Sequence, residues 1–373
     1  MEVDILSRVM IIETDYKKIF HDIVKVFKEF VFDWKNKKVF VKPNILGAFP
    51  PEKGVTTHPN VIKAIVTYLL QQEAEVIVGD NTGMPRAYGK NDFAAERTGI
   101  IEASCGKYQN IGKETTLVKL QLDGSPEVPI SKVVFDCDVF ITVPRFKTHL
   151  NTIITGGIKN SYGLIAGASK NRFHAKYSDY KRFAELVVSI FQVRRPDLII
   201  MDGIVAMEGD GPNSPDLRDL GKIIASDDAL AMDVVMCHMM GIDNRLVDTI
   251  KFASDRNLGE SDLSKINVIG ALERIKDFKP PSTYGKDVSK QSLGDNVVSR
   301  IVATGKLKVI SRDCILCRQC YESCPAGAIA YDEKKGASII NEKCILCFCC
   351  KELCPNNAIA LKGAYGVMLK MAG

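Results

Sequence analysis

The C-terminal stretch of the chain carries cysteines at a spacing that suits iron–sulfur clusters. Two copies of the run C-x2-C-x2-C-x3-C-P lie there, the second beginning thirty residues after the first. A 4Fe-4S cube has four iron corners, and three thiolates on one tight loop can reach only three of them. A distant fourth cysteine must therefore complete each site. The cysteines of the two runs are Cys314, Cys317, Cys320 and Cys324, then Cys344, Cys347, Cys350 and Cys354.

The runs are typical of bacterial two-cluster ferredoxins, in which the fourth cysteine of each run binds the other cluster. The spacing therefore predicts two 4Fe-4S clusters. The ligands expected for the first are Cys314, Cys317, Cys320 and Cys354. The ligands expected for the second are Cys344, Cys347, Cys350 and Cys324. A structural zinc site or a disulfide set is the alternative, but zinc sites usually present cysteines as separated C-x2-C pairs.

Four further cysteines stand outside this pattern. Cys349 lies inside the second run, where it is either a packed or surface thiol without a role or an alternative cluster ligand. Cys105, Cys137 and Cys237 are scattered, and we expect them to fill space in the core.

Composition bounds the class of protein. The chain has 373 residues, 46% hydrophobic and 25% charged, with a formal net charge of +5, as in a soluble globular protein. So mild a charge argues against nucleic acid as a partner. The apolar stretches are strand-sized and the N-terminus is interrupted by charges, so neither a membrane span nor a signal peptide is expected. Eight thiolates committed to clusters favour a reducing, cytoplasmic location and an anaerobic source.

The elements ahead of the cysteines alternate between strands and helices. Strands are predicted at 38–41, 75–78, 138–143, 198–201, 222–225 and 266–269. Amphipathic helices are predicted at 15–30, 59–72, 177–194 and 229–240. This order predicts an α/β domain with a mostly parallel sheet and flanking helices over residues 1–304, of which 278–304 is a linker or irregular return segment. Residues 305–373 are predicted to form a small α+β two-cluster ferredoxin-like domain.

Polar residues follow four of the predicted strands. They are Lys42 and Asn44, Asp80 and Asn81, residues 144–149, and Asp202 with Gly203. Because ligands bind beyond the carboxyl ends of parallel strands, we expect these residues to converge on one rim of the sheet. Lys42, Asn44, Asn160 and Asp202 are the candidate cofactor-binding residues.

Two long loops are predicted to start from this rim. The first, 145–174, contains Lys147, His149, Lys159 and His174 among several glycines. Such a loop suits an anionic ligand held by lysines and backbone amides, although a solvated surface loop is the alternative. The histidines could also bind a metal. The second loop, 202–221, contains Glu208, a candidate general acid or base or cation ligand.

Neither G-x-G-x-x-G opening a helix nor G-x-x-x-x-G-K-[ST] occurs in the sequence, which disfavours a nicotinamide Rossmann site and a P-loop. The sequence contains no motif for a flavin or a further metal, so the presence of either is left open. The candidate catalytic residues are Lys147, His149, Lys159, His174 and Glu208.

The sequence resembles the DUF362 proteins, bacterial and archaeal proteins of unknown function, many of which carry a C-terminal two-cluster ferredoxin. The matching segments are 41–44, 56–59, 79–80, 144–149, 157–163, 202–212 and 226–228. The resemblance implies an α/β N-terminal domain and iron–sulfur chemistry. The family's architecture is also similar to the N-terminal domain of nickel-pincer lactate racemases, which would suggest a small acid as ligand.

Three functions are compatible with these observations. The first is a ferredoxin-fused oxidoreductase that relays electrons between the two clusters and an anionic substrate or cofactor at the rim. The second is a non-catalytic electron-transfer subunit or adaptor that docks a redox partner protein. The third is a non-redox enzyme acting on a small acid, with a structural or regulatory ferredoxin.

Overall fold

A mixed β-sheet organises the N-terminal domain. The computed structural model describes residues 7–84, 90–167, 169–285 and 306–362. Within these ranges the domain's strands are β1 (Arg8–Glu13), β2 (Lys38–Pro43), β3 (Glu75–Val78), β4 (Thr115–Lys119), β5 (Glu127–Ser131), β6 (Val139–Val143), β7 (Arg145–His149), β8 (Ile153–Ile154), β9 (Leu198–Met207), β10 (Leu217–Ser226) and β11 (Asn267–Ile269).

The strand order across the main sheet is β11-β1-β10-β9-β6-β2-β3, and β7 runs beside β9 while also pairing with β8. β4 and β5 form a separate hairpin. The pairs β2–β3, β2–β6, β6–β9, β7–β9 and β1–β11 are parallel, whereas β10 is antiparallel to both β1 and β9. The predicted mostly parallel α/β sheet is confirmed, with one antiparallel insertion.

Helices cover both faces of this sheet. They are α1 (Ile19–Glu29), α2 (Pro59–Gln71), α3 (Lys90–Arg97), α4 (Ile100–Ala103), α5 (Val133–Asp136), α6 (Gly156–Asn160), α7 (Ser169–Lys176), α8 (Tyr180–Val193), α9 (Ala229–Met240) and α10 (Asp248–Asp255). Short 3-10 helices lie at Pro51–Lys53, Ser161–Leu164, Asn244–Leu246 and Leu263–Lys265.

The alternation of side chains along β2 shows how the two cores arise. Val39 and Val41 pack into the core that contains α1 and α2, whereas Phe40 packs into the core that contains α8 and α9. Successive strand residues point to opposite faces, so a central strand must be apolar on both. The carboxyl end of β2 is thereby fixed between two helical layers.

The prediction of a long loop over 145–174 is wrong. Residues 145–149 form β7, which pairs with β9, and α6, β8 and α7 follow. The polar residues concealed this strand in the sequence, because Arg145 and Lys147 are buried on one face of β7 while Phe146 enters the core. A fully buried strand that carries charges does not show an apolar pattern.

The prediction of a loop over 202–221 is wrong at both ends. β9 continues to Met207 and β10 begins at Leu217, so only residues 208–216 connect them. The extension is stable because Ile204, Ala206 and Met207 are buried, which extends the strand beyond Asp202.

The cysteine-rich module consists of two similar halves. Its elements are β12 (Lys306–Val309), a 3-10 helix (Ser311–Asp313), α11 (Gln319–Ser323), β13 (Ile329–Asp332), β14 (Gly336–Ile339), α12 (Cys349–Glu352) and β15 (Ile359–Lys362). β12 pairs with β15 and β13 with β14, both antiparallel. α11 and α12 occupy equivalent places in the two halves.

The predicted boundary near residue 305 and most of the predicted 278–304 return segment lie outside the described residues. Its described part, 278–285, is irregular and packs on the α/β domain. Phe278 meets Phe146 edge-on at 6.2 Å, and Thr283 Oγ1 donates to the Leu150 carbonyl at 2.7 Å.

Helix α6 depends on one carboxylate and one glycine. Asp233 of α9 accepts the backbone N–H groups of Gly157 at 2.6 Å and Ile158 at 3.2 Å. Gly156 has φ +57°, and a Cβ there would overlap the Asp233 carboxylate. The start of α6 therefore requires glycine for both backbone conformation and space.

We predict that Gly156→Ala lowers the free energy of unfolding of the α/β domain by about 3 kcal/mol, through left-handed strain plus overpacking. The matched control is Gly106→Ala, where φ is +76° but nothing lies within 4 Å of a Cβ. The control should lower the free energy of unfolding by only about 1 kcal/mol. Urea unfolding followed by far-UV circular dichroism measures both variants, and equal losses would show that Asp233 imposes no steric limit.

Candidate functional site

The cysteine runs line two separate cavities. One cavity is lined by Cys314, Cys317, Cys320 and Cys354. The other is lined by Cys324, Cys344, Cys347 and Cys350. Each cavity thus takes three thiols from one run and the fourth from the other run. We call them the outer cluster cavity and the inner cluster cavity, because Cys317 is exposed whereas Cys347 and Cys350 are buried.

The backbone around these cavities fits an anionic iron–sulfur cube. Leu316 and Arg318 in the first run, and Leu346 and Phe348 in the second, have left-handed φ values between 56° and 63°. Alternation of right- and left-handed residues turns successive N–H groups inward, as in the backbone nests that hold anions and iron–sulfur clusters. The recurrence of these costly conformations at equivalent positions of both runs indicates that they serve the site.

The fourth cysteine of each run also has an equivalent hydrogen bond. The Ala328 N–H donates to Cys324 Sγ and the Ala358 N–H donates to Cys354 Sγ, both at 3.2 Å. Hydrogen bonds to the sulfurs are a feature of iron–sulfur sites, where they help to set the reduction potential. Among the described residues, no group of three or more His, Cys, Asp or Glu side chains converges on a single metal ion. This is expected for a cube, because each thiolate binds a different iron.

A third cavity lies where the α/β domain meets α12. We call it the cation cavity. Its lining comes from the residues after β2 and β3, from α6 and α7, and from α12. The polar lining residues are Asn44, Asp80, Asn81, Lys159, Asn160, Lys170, Asn171, His174, Cys349 and Glu352.

One ion pair neutralises the floor of the cation cavity. Lys42 Nζ lies 2.8 Å from Asp80 Oδ1, and both side chains are almost fully buried. Asp80 Oδ2 also accepts the Ile45 N–H at 2.7 Å. Gly163 allows the segment after α6 to pass close by, since a Cβ there would overlap the pair. Lys42 is therefore already paired.

Lys159 and Lys170 supply the excess positive charge. Lys159 has no hydrogen-bond or ion-pair partner among the residues that the structure describes, whereas Lys170 Nζ donates to the Asn81 carbonyl. Burial lowers the pKa of Lys159, although the Glu352 carboxylate opposes this shift. Burial lowers the pKa of Lys170 to about 7, with Asp80 opposing. An anion entering the cavity would therefore meet at least one unsatisfied amine.

The amide side chains are held by hydrogen bonds. Asn44 Nδ2 donates to Asn160 Oδ1 at 3.0 Å, and Asn160 Nδ2 donates to Thr142 Oγ1 at 2.8 Å. Asn81 Nδ2 donates to Ser131 Oγ and to the Gly163 carbonyl. These bonds fix the orientation of each amide, so this side of the cavity is preorganised.

The histidines near the cavity are neutral. Burial, with Lys159 and Lys170 adding repulsion, lowers the pKa of His174 to about 3. Burial likewise lowers the pKa of His149 well below its usual value. His149 Nδ1 accepts the Asn151 N–H at 3.0 Å, so the proton resides on Nε2, which faces Glu352 Oε1 at 3.5 Å.

Helix α12 forms the side of the cavity that belongs to the cysteine-rich module. Cys349 and Glu352 are three residues apart and therefore share one helical face. Glu352 is 6% exposed and its Oε1 has no hydrogen-bond partner in the described chain. The adjacent Cys350 lines the inner cluster cavity instead. The helix thus separates the two cavities.

The structure gathers only part of the predicted site. Lys159, His174, Asn44 and Asn160 line the cation cavity. Lys147 and His149 lie behind this lining, where Lys147 Nζ donates to the Val55 carbonyl at 2.6 Å.

Besides Lys42, which pairs with Asp80, two further predicted residues belong to separate clusters. Glu208 pairs with Arg218 at 2.9 Å. Asp202 pairs with Arg145 at 2.5 Å and accepts the His58 N–H at 2.9 Å. Both carboxylates are therefore already bound to cations and backbone, away from the lining residues.

Sequence reasoning left Lys170, Asp80, Cys349 and Glu352 out of the candidate set. Asp80 lies at the predicted rim of the sheet, and Lys170 lies in the predicted loop 145–174. For Cys349 and Glu352 the only signal was their i, i+3 spacing beside cluster ligands.

Comparisons with known proteins agree with this division of the chain. Residues 39–238 match the family described as "Domain of unknown function (DUF362)", and residues 313–358 match a 4Fe-4S dicluster domain, which supports iron–sulfur electron transfer. A thylakoid-associated protein, sll1697, from Synechocystis sp. (strain ATCC 27184 / PCC 6803 / Kazusa) is 30% identical over 234 residues, covering 60% of this chain and 68% of that protein.

Among solved structures, the lactate racemase apoprotein from Thermoanaerobacterium thermosaccharolyticum aligns with 9% identity and a TM-score of 0.39. The alignment covers 62% of this chain, which spans 56% of the racemase. Within the described ranges, no helix has the length and apolar character required to cross a membrane.

We predict that sulfate affinity falls by up to about tenfold between pH 6 and pH 8. Sulfate keeps its charge over this range, whereas Lys170, with a pKa of about 7, loses its proton as the pH rises. Its cationic form therefore prevails below pH 7 and its neutral form above it. Isothermal titration calorimetry on anaerobic protein gives the affinities.

Lys170→Arg is the control for this pH dependence. Arginine remains protonated throughout, so the variant should bind sulfate with a nearly flat profile. A wild-type profile that is also flat would exclude Lys170 from anion binding.

Proposed function

The chain belongs to the DUF362 family, and from this membership and the site geometry we propose that it is an iron–sulfur oxidoreductase. Two 4Fe-4S clusters, one in each cluster cavity, would exchange electrons with a small anion bound in the cation cavity. The two cluster cavities, with their crossed thiol sets and inward-turned backbone, support the count of two. When bound, each cluster would supply one electron at a time.

A single observation supports this function above the others. Cys350 lines the inner cluster cavity, while Cys349 and Glu352, on the same helix α12, line the cation cavity. An α-helix is about 10 Å across with its side chains. A ligand in the cation cavity would therefore lie within one helix width of the inner cluster.

The charges of the cavity favour a carboxylate or a phosphate as ligand. Lys159 and Lys170 would bind the anionic group, because amines in a low-dielectric cavity attract anions more strongly than in water. Asn44 and Asn160 would orient the ligand through amides that are already fixed. Neutral His174 stacks on Phe183 with ring centroids 4.4 Å apart and would limit the size of the ligand.

A second observation favours a partner protein at the other cluster. Around exposed Cys317, Ile315 is 58% exposed, Leu316 41% and Tyr321 45%. Apolar side chains at this exposure beside a cluster site suit contact with a redox partner. This supports the second candidate function, an electron-transfer subunit, and is also compatible with an oxidoreductase that receives electrons at the outer cluster.

Metal and cofactor analysis tests the premise of both functions. Anaerobically purified protein should contain about eight iron and eight sulfide per chain, four of each for each cube. A stoichiometric flavin, nickel or zinc would identify a further centre in the cation cavity. About four iron would exclude the two-cluster relay.

We predict that Lys159→Ala weakens sulfate binding at least tenfold and leaves iron content and dithionite reduction unchanged. A charge-assisted hydrogen bond contributes about 1.5 to 3 kcal/mol, which corresponds to this loss. Lys335→Ala is the matched control, because Lys335 is exposed on the cysteine-rich module and should alter neither property.

The same pair of variants separates the enzyme from the subunit. Reduced protein freed of dithionite is mixed with a panel of small carboxylates and phosphates, and cluster reoxidation is followed by visible absorption. An oxidoreductase is reoxidised by a member of the panel in wild type and in Lys335→Ala but not in Lys159→Ala. Equal reoxidation of the clusters in wild type and in Lys159→Ala would contradict the proposed role of the cation cavity.

A further inference from the structure

Cys349 is the one cysteine of the described module that lines neither cluster cavity. The eight other cysteines of residues 306–362 divide between the inner and outer cluster cavities. Cys349 lines the cation cavity instead, beside Lys159 and His174. It is 4% exposed and lies one helical turn before Glu352. Its thiol hydrogen-bonds that of Cys347, a predicted ligand of the inner cluster, but Cys349 itself does not line the cavity of that cluster.

An independent observation indicates that this side of the cavity meets a ligand. Glu352 is more than nine-tenths buried and lines the cavity, yet its Oε1 has no hydrogen-bond partner among the described residues, since neutral His149 Nε2 lies 3.5 Å away and forms no hydrogen bond with it. A buried carboxylate oxygen without a donor costs free energy unless something donates to it. Lys159, across the same cavity, lacks an acceptor within the described ranges.

We propose that Cys349 contacts the substrate in the cation cavity and is not a cluster ligand. The anionic group of the substrate, a small carboxylate or phosphate, lies on Lys159 and Lys170. A hydrogen-bond donor of the same molecule reaches Glu352 Oε1, and the remaining part lies against Cys349 Sγ. This assignment rests on the proposed function, because it takes the cation cavity as the substrate site.

The geometry places the reacting part of the substrate at Cys349. The lysines line the side of the cavity formed by the α/β domain, whereas Cys349 lies on the helix shared with the inner cluster cavity. Electrons exchanged with that cluster must cross α12, so the group that accepts or donates them lies on the α12 side. Cys349 is then the residue between the reacting group and Cys350.

Charge-selective alkylation of the intact, cluster-loaded protein tests this placement. Iodoacetate and iodoacetamide are similar in size and differ in charge. In both reactions the Cys349 sulfur attacks the methylene carbon, an S–C bond forms, the C–I bond breaks and iodide leaves, while the thiol proton passes to solvent. Peptide mass spectrometry measures the labelling of Cys349 and of Cys105, which is exposed and not in the core as expected from the sequence, and which serves as internal reference.

We expect the ratio of iodoacetate to iodoacetamide labelling at Cys349 to exceed the ratio at Cys105 at least tenfold. Sulfate should suppress the iodoacetate reaction, and Lys159→Ala should return the ratio to that of Cys105. Carboxymethylated protein should retain its iron and lose sulfate binding. A Cys349 ratio equal to that of Cys105, or no labelling of Cys349 by either reagent, would overturn the assignment.

Cys349→Ser provides a second measurement. The variant should retain about eight iron and the reduced-state resonance signals of both clusters, because serine removes no predicted ligand. Loss of about four iron would show that Cys349 is a cluster ligand. If sulfate binding requires Lys159 but the ratio of iodoacetate to iodoacetamide labelling is the same at Cys349 and Cys105, only the Cys349 assignment is refuted. Absence of sulfate binding in wild type would refute the proposed function itself.

Discussion

The docking of helix α12 against the α/β domain is the contact on which the rest of the site depends. Asn213 Nδ2 donates to the carbonyls of Glu352 at 3.1 Å and Cys354 at 2.8 Å, where the helix ends and its carbonyls lack intrahelical partners. On the cysteine side of the helix, Asn151 Nδ2 donates to the Cys347 carbonyl at 3.3 Å. These bonds bring Cys349 and Glu352 to the cation cavity. Without this docking, the cavity would lose one of its sides.

Docking also determines the electrostatics of the cavity. Residues of α12 line the same cavity as Lys159 and Lys170, where burial lowers the pKa of both amines and a low dielectric strengthens the attraction of their charged forms for an anion. Lys42 does not add to this attraction, because Asp80 already neutralises it. Among the described lining residues, two amines therefore supply the selectivity for charge, and neutral His174 adds shape without charge. A small anion is the ligand class that satisfies these groups.

The sequence predicts those parts of the protein whose chemistry is local. Cysteine spacing predicts a ligand set because a cube imposes it on a short loop, and the polar residues after β2 and β3 are recognisable because strand ends meet at one rim. The strand β7 was missed because Arg145 and Lys147 are buried with their charges. Glu208 looked like a site residue because its acidic loop follows a strand, but its pairing with Arg218 depends on the β9–β10 hairpin. Cys349 and Glu352 reach the cavity only through contact between two modules, which no periodicity in either module encodes.

A redox titration followed by electron paramagnetic resonance, with and without sulfate, tests most directly whether the cation cavity communicates with one cluster. A unit negative charge about 10 Å away, at an effective dielectric constant of about 20, opposes one-electron reduction by about 1.7 kcal/mol or about 70 mV, and doubly charged sulfate opposes it by about 140 mV. Saturating sulfate should lower the reduction potential of one cluster by this amount and that of the other cluster by less. The shift should vanish in Lys159→Ala. Sulfate that binds to wild type without shifting either potential, or that shifts both equally, would contradict a cavity coupled to the inner cluster.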